Sequence, residues 1–373
     1  MAITSKERML MLLSGEIPDR IAKADAPWPE TRARWAREGL PADVHASDYF
    51  KMDMRMNFRT LPTFQFPETV VEETDEFQVV SDADGGVTKF WKNKSGVPLP
   101  LKNAVESRQD WEAKKHRLAP SEDRFAFGYY GNYMDEYVTG TLGDVKAAYD
   151  ACETIDETFV TVEVADPYEF AMAKMGDERL LMKMIMEPDL ITDMLTAYAD
   201  FTVANCELFF DSGIKVDGVF LGGDIAYKNG LLFSPEMHRE LIFPHLVKII
   251  DYLKRDRGLR IVYHTDGNPT QAIPLLVEAG IDCLEPMEVN AGMDVRALAG
   301  QWGERIAFMG NISAAGLSGP KDKLAEEVRS KIEACKAAGA RYIIHSDHSV
   351  PDTVSFENFS FYMDLVEKYG AYN

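Results

Sequence analysis

The sequence predicts an α/β fold, a (β/α)8 barrel with an N-terminal elaboration, on three observations. Apolar strand-like runs alternate with amphipathic helical segments through the last two-thirds of the 373 residues. Those runs are nearly continuous in hydrophobicity, as strands buried on both faces require. Most of them end in a polar or glycine cluster: GGD at 222–224, HTDG at 264–267, EPME at 285–288, GNIS at 310–313 and HSDH at 345–348. A barrel gathers such ends around one mouth, where catalytic groups are found. A doubly wound sheet would also fit the alternation, but its fingerprint GxGxxG is absent.

The elements follow in order. A helix capped by Thr4 or Ser5 runs into KERMLMLLSG. The rest of residues 1–120 is irregular, with an extended aromatic stretch and a hairpin expected around Asp84-Gly85-Gly86, between FQVVSDA and VTKFW. From about Thr158 the alternation sets in: strand FVTVEVAD, an amphipathic segment from Glu178 to Ser212, strand VDGVFLGGD, and a helix opened by Ser234-Pro235-Glu236. Then come strand RIVYHTDG, a helix from Pro269 to Gly280, strand IDCLEP and a short helix ending at Gly303. Strand RIAFMGNIS, a helix from Pro320 to Ala338, strand RYIIHSDH and a helix from Ser355 to Tyr369 complete the chain. The strands before Gly213 leave a weaker pattern. Residues 1–373 read as a single domain in which 1–120 form the elaboration.

Composition narrows the partners. Lys+Arg 40 against Asp+Glu 61 gives a net charge of -21, which repels nucleic-acid phosphates and anionic membranes, so neither is expected as a partner. Cys152, Cys206, Cys283 and Cys335 are scattered without a CxxC pair, which suits a reducing cytoplasm. The segment MAITSKERMLMLLSGEIPDR lacks the pattern of a signal peptide, and no apolar run approaches the roughly 20 residues that span a bilayer.

Candidate chemistry concentrates at two strand ends. LRIVYHTDG brings His264 and Asp266 to one face, because strand side chains alternate with a period of two. ARYIIHSDH ends in His345, Asp347 and His348, so three of the seven histidines stand at two strand tips. Glu285 and Glu288, flanking Pro286, and Asp224, ending VFLGGD, are further carboxylates at the same end. His345 has parity opposite to His348 and reads as packing outward or supporting the site. His238 and His245 read as surface or packing residues of a helix. The Met-rich LLMKMIM (180–186) reads as core. The run FAFGYYGNYMDEY (125–137) reads as packing or as the wall of an apolar cleft. Gly222-Gly223 and Gly310-Asn311 would let backbone approach a ligand, although strand-to-helix turns need glycine in any case.

IPDR, DGVFLGGDIAYKNGLLFSPEMHRELIFPHL, YHTDGN, IDCLEPMEVNAGMDV, FMGNIS and HSDHSVPDTVSFENF together resemble the uroporphyrinogen decarboxylase-like superfamily, which includes corrinoid- and thiol-dependent methyltransferases. The resemblance implies a (β/α)8 barrel. Porphyrinogen decarboxylases carry an RQAGRY-type segment near the N-terminus; KADAPWPETRARW lacks it, and Arg32 and Arg34 read as a solvated helix face. The superfamily's zinc methyltransferases use a His-x-Cys pair and a later Cys. Here the corresponding residues are His264-Thr265-Asp266 and His348.

The resemblance therefore implies zinc held by His264, His348 and a carboxylate, with Asp266 the closest motif match and Glu285 or Glu288 the alternatives. Asp224 and Glu288 are then the catalytic carboxylates, Asp224 for substrate orientation or general acid work, and Gly310 and Asn311 the cofactor-binding candidates. Imidazole and carboxylate pass less charge to zinc than thiolates do, so such an ion stays electrophilic and suits activation of an oxygen-bearing substrate. The expected activity is methyl transfer from a methoxylated substrate, an aryl methyl ether above all, to the Co(I) corrinoid (cobalamin) of a carrier protein. The alternatives are transfer from methyl-corrinoid to tetrahydrofolate or a thiol, and a porphyrinogen decarboxylase-like or non-catalytic binding protein.

Overall fold

The computed structural model describes residues 3–92, 98–131 and 136–372. Eight parallel strands form the expected barrel among the described residues: Ala22–Lys23, Met54–Thr60, Phe159–Ala165, Gly218–Gly222, Arg260–Thr265, Cys283–Pro286, Ala307–Ile312 and Tyr342–Ser346. Each pairs in parallel with the next from the second to the eighth, and the first pairs with the eighth.

A side chain helps to close the ring between the first and second strands. The Asp53 N–H donates to the Lys23 carbonyl at 2.7 Å, and the Asp53 carboxylate accepts from the Lys23 N–H at 2.9 Å. Arg8 and Arg20 hold that buried carboxylate from outside, at 2.7 and 2.8 Å. Arg8 also grips Asp19, so the IPDR segment serves the seam at the bottom of the barrel. A buried, doubly paired carboxylate of this kind is costly to break.

Two apolar layers follow from strands buried on both faces. Inside lie Met54, Phe159, Val262, Cys283, Ala307, Met309 and Ile343, stoppered below by Met9 and Leu12 of the helix Ser5–Ser14. Thr4 caps that helix in a reciprocal box with Glu7. Outside, the helices Ile273–Ala279, Val295–Trp302, Lys321–Ala337 and Phe356–Tyr369 follow the fifth to eighth strands and pack on the sheet.

The elaboration contributes a four-stranded antiparallel sheet, Thr69–Glu73, Phe77–Ser81, Val87–Trp91 and Leu99–Lys102. Its central hairpin turns at Asp84-Gly85-Gly86, as the sequence predicts, with Gly85 at φ +74°. Strand Phe125–Tyr129 runs antiparallel to the second barrel strand.

Three expectations need correction. The segment Glu178 to Ser212 is two helices, Asp177–Met186 and Pro188–Asp211, because proline opens the second. The helix expected over Pro269–Gly280 is confined to Ile273–Ala279. In LLMKMIM only Leu180 and Met184 are fully buried, while Met182, Ile185 and Met186 face solvent. Among the described residues no helix is long and apolar enough to cross a membrane.

Candidate metal centre in the barrel mouth

A cavity of about 490 Å³ opens at the carboxyl ends of the strands. Its polar wall is formed by Asp224, His264, Asp266, Glu285, His345 and His348. Register explains the first contact. His264 on the fifth strand lies directly opposite Glu285 on the sixth, and side chains opposed in this way touch. The His264 Nδ1–H donates to Glu285 Oε2 in a short hydrogen bond, which leaves Nε2 free to face the cavity. Nε2 stands 3.6 Å from Asp224 Oδ1. Asp224 comes from the loop beyond the fourth strand, and its Oδ1 accepts the Asp266 N–H at 2.9 Å.

One ligand atom each from Asp224, His264 and Asp266 lies within 4.8 Å of the others. His348 stands at the rim, half exposed, its Nε2 4.0 Å from Asp266 Oδ2. Asp266 Oδ1 is buried without a hydrogen-bond partner.

The electrostatics reflect acids crowded into a poorly solvated place. Burial alone would lower the His264 imidazole, but Glu285, with Asp266 and Asp224 behind it, drives it upward, and this histidine is cationic in the metal-free protein. Asp266 is pushed up to about 6, first by burial and then by Asp224 and Glu285 against the pull of His264 and His348. Glu169, whose Oε2 accepts the Asp224 N–H at 3.4 Å, rises to about 7 through burial and the Asp224 charge.

The structure sorts the sequence candidates. His264, Asp266 and His348 converge. Asp224, expected as an acid or orienting group, stands with His264 and Asp266 in a cluster that could hold a metal ion. Glu285, an alternative ligand, lies behind His264 and orients it. Glu288 is outside the cavity lining, and its carboxylate accepts the Gly267 N–H at 3.0 Å to brace the turn after the fifth strand.

Gly310 and Asn311 also lie outside the lining. A Cβ on Gly310 would sit 2.0 Å from the Pro286 carbonyl oxygen, so that glycine serves close packing of two strands. Asn311, at φ +69°, accepts from Val295 N and donates to the carbonyls of Met287 and Met293. Its amide nitrogen is engaged by the two protein carbonyls. His345 is buried and faces inward, with Nδ1 donating to the Ser346 carbonyl at 2.5 Å and lying 3.8 Å from Glu285. It supports the site.

Sequence reasoning missed Glu169, Arg59 and Asp25, and gave Tyr130 no role beyond an aromatic run. Arg59 and Glu163, 2.9 Å apart, line the cavity away from the ligand cluster. Asp25, at the end of the first strand, is fully buried and accepts from Ser346 Oγ at 2.5 Å. Of the run 125–137, Phe125 and Phe127 are core, Tyr130 lines the cavity, and 132–135 lie outside the described residues.

Comparison with known proteins agrees with the fold. Among solved structures, a methyltransferase from Methanosarcina mazei superposes with a TM-score of 0.63 over 98% of this chain and 99% of its own, at 16% identity, which shows a shared fold. A xylanase from Penicillium canescens (TM-score 0.36, 10% identity, 62% and 80% covered) and a homocysteine methyltransferase from Escherichia coli (0.28, 13%, 60% and 68%) overlap too loosely to carry an argument. No curated protein matches this sequence. Residues 135–369, well over half of the chain, match the family described as uroporphyrinogen decarboxylase (URO-D). With its barrel and its polar mouth, the chain belongs to the uroporphyrinogen decarboxylase family.

Proposed function

We propose that the protein is a zinc-dependent methyltransferase that moves a methyl group from an aryl methyl ether to the Co(I) corrinoid of a carrier protein. One observation carries the reading: a histidine oriented by a buried carboxylate faces two further carboxylates in the mouth of a barrel. The methyltransferase from Methanosarcina mazei that shares the fold supports the reaction class.

The donor set fits zinc. One imidazole and two carboxylates are ligands that zinc accepts, and three protein ligands leave a position open for substrate. The orphaned Asp266 Oδ1 is an atom that a cation would satisfy. Glu285 behind His264 is the carboxylate–histidine pairing that fixes a ligand's ring and tautomer. His348 at the rim, its Nε2 4.0 Å from Asp266 Oδ2, is the alternative to one of the carboxylates as third ligand. When bound, zinc supplies Lewis-acid stabilisation of negative charge on an ether oxygen.

The chain's own residues do the rest. Phe170, Phe220 and Pro62 offer an apolar wall to a planar ring, and the volume accommodates one substituted benzene. A methyl ether is a poor electrophile because its leaving group is a strong base, so stabilising the departing oxygen is where catalysis must act.

The test is spectrophotometric. Zinc-loaded protein is mixed anaerobically with Co(I) corrinoid and a panel of methoxyarenes, with and without a chelator. Chelator-sensitive formation of methyl-Co(III) is expected. No conversion with any donor would overturn the reading in favour of a tetrahydrofolate-linked or non-catalytic protein.

A further inference from the structure

We propose that Tyr130 is a substrate-binding hydrogen-bond donor whose hydroxyl holds the oxygen from which the methyl group departs. The inference rests on the methyl-ether reading of the mouth and goes beyond it by assigning a role to a residue outside the metal cluster. A donor is needed there. Asp224, the sequence candidate for a proton donor, points its carboxylate at His264 Nε2 and accepts the Asp266 N–H, so both contacts turn it toward the metal cluster. Lys174 in the cavity wall is engaged by Asp84 at 2.7 Å, and Arg59 stands against Glu163.

Tyr130 follows the antiparallel strand Phe125–Tyr129, and the chain holds it firmly in the cavity. Its N–H donates to the Arg55 carbonyl at 2.7 Å. The next residue, Gly131, is at φ +78° and runs so close to the end of the first strand that a Cβ would lie 2.4 Å from the Ala26 Cβ. No other residue type fits that approach. The phenol ring stands edge-on to Phe220 at 5.4 Å and to His345 at 6.2 Å, and Phe220 lies 5.6 Å from the His264 ring. Tyr130 therefore lines the same cavity as the metal cluster and is linked to the His264 ring through Phe220.

The residue is 7% exposed and lines the cavity, and its hydroxyl makes no hydrogen bond to a described residue. A donor with no acceptor among the described residues, in a half-apolar cleft, is placed for a ligand oxygen. Burial first, then the charges of Glu285 and Asp25, hold this phenol well above its ordinary range, so it keeps its proton. In the reaction the C–O bond breaks with its electron pair left on the aryl oxygen. The reduced corrinoid supplies the pair for the new cobalt–carbon bond, and its cobalt passes from Co(I) to Co(III). Tyr130 shares its proton with the oxygen as that charge grows, without giving it up. One such preorganised donor is worth roughly 10²–10³ in rate.

The experiment compares wild type with Tyr130→Phe, both zinc-loaded and full-length, by two readouts. The first is visible absorption and affinity of 4-nitrophenolate, a stand-in for the departing phenolate that needs no turnover. Wild type should bind it with a blue-shifted band, and Tyr130→Phe should bind about 10-fold more weakly with a smaller shift, the part due to zinc remaining. The second is the rate over methoxyarenes of graded leaving-group basicity. The variant's deficit should be roughly 100-fold for 4-methylanisole and small for 4-nitroanisole, whose anion needs little help. A merely structural role would lower both rates alike.

Should the phenylalanine variant not fold, replacement of Tyr130 by the nearly isosteric 3-fluorotyrosine, a stronger donor, should enlarge the band shift. An unchanged band and affinity, or a uniform deficit across the series, would overturn the proposal. If wild type turns over no methoxyarene while the nitrophenolate shift depends on Tyr130, the donor stands and the methyl-transfer reading falls. Turnover indifferent to Tyr130 sinks the donor alone.

Discussion

His238 gives the fold a pH dependence that can be isolated by one substitution. The imidazole is completely buried in the helical segment opened by Ser234, lying flat against Phe233 with ring centroids 6.0 Å apart and planes 6° from parallel. Neither ring nitrogen has a hydrogen-bond partner. Burial, with the neighbouring Arg239 adding to it, holds the group at about 4 against an ordinary 6.5. The unfolded chain therefore takes up a proton near 6.5 that the folded chain resists until about 4. Stability is complete above 6.5 and falls as the pH drops through that window. At about 1.4 kcal/mol per unit, the loss reaches about 3 kcal/mol below pH 4, and about 2 kcal/mol between pH 7 and pH 5. In His238→Phe an apolar ring replaces the imidazole and this component disappears. Urea unfolding of both proteins at pH 7 and pH 5 should show the wild type losing about 2 kcal/mol more than the variant. Parallel losses would refute the argument, because they would mean that His238 is charged, or solvated, in the folded state.

Four further substitutions test the site and its surroundings. His264→Ala should remove most of the bound zinc while leaving the fold intact, and His348→Ala, at the exposed rim, should weaken binding less; metal content after dialysis measures both. Glu285→Gln keeps the shape but weakens the orienting hydrogen bond, and zinc affinity by competition with a chromophoric chelator should drop about 10- to 100-fold. Asn311→Ala strands one buried N–H and two buried carbonyls, so denaturation should show a loss of about 3 kcal/mol with zinc affinity unchanged.

The later strands were legible because parallel strands buried on both faces carry an unbroken apolar centre, as IVY in RIVYHT and YII in YIIHS do. The first two were not. Ala22–Lys23 is two residues long and is locked in place by the Asp53 side chain, which leaves no periodicity to read. Met54–Thr60 is interrupted by Arg55 and Arg59. At the site, strand parity alone brought His264 and Asp266 together. Placing Glu285 behind His264 required the register between two strands, which is a property of the pair and not of either segment. Asn311 and Gly310 looked like ligand contacts because a left-handed residue serves tight packing and ligand approach equally well. Tyr130 gave no signal beyond its aromaticity, since a long excursion delivers it to the mouth.

The buried Asp53 junction has a consequence for where this protein can be cut. The family match begins at residue 135, after the first two barrel strands, the seam and its two arginines. A fragment starting there would carry six of the eight strands, with the third and eighth turned into bare edges whose N–H and C=O groups invite intermolecular pairing. Lys174, nearly inaccessible and matched by Asp84, would become an orphan charge. The span over which the family is recognised and the span that folds are therefore different lengths of chain: an expression fragment trimmed to the former should collect in inclusion bodies.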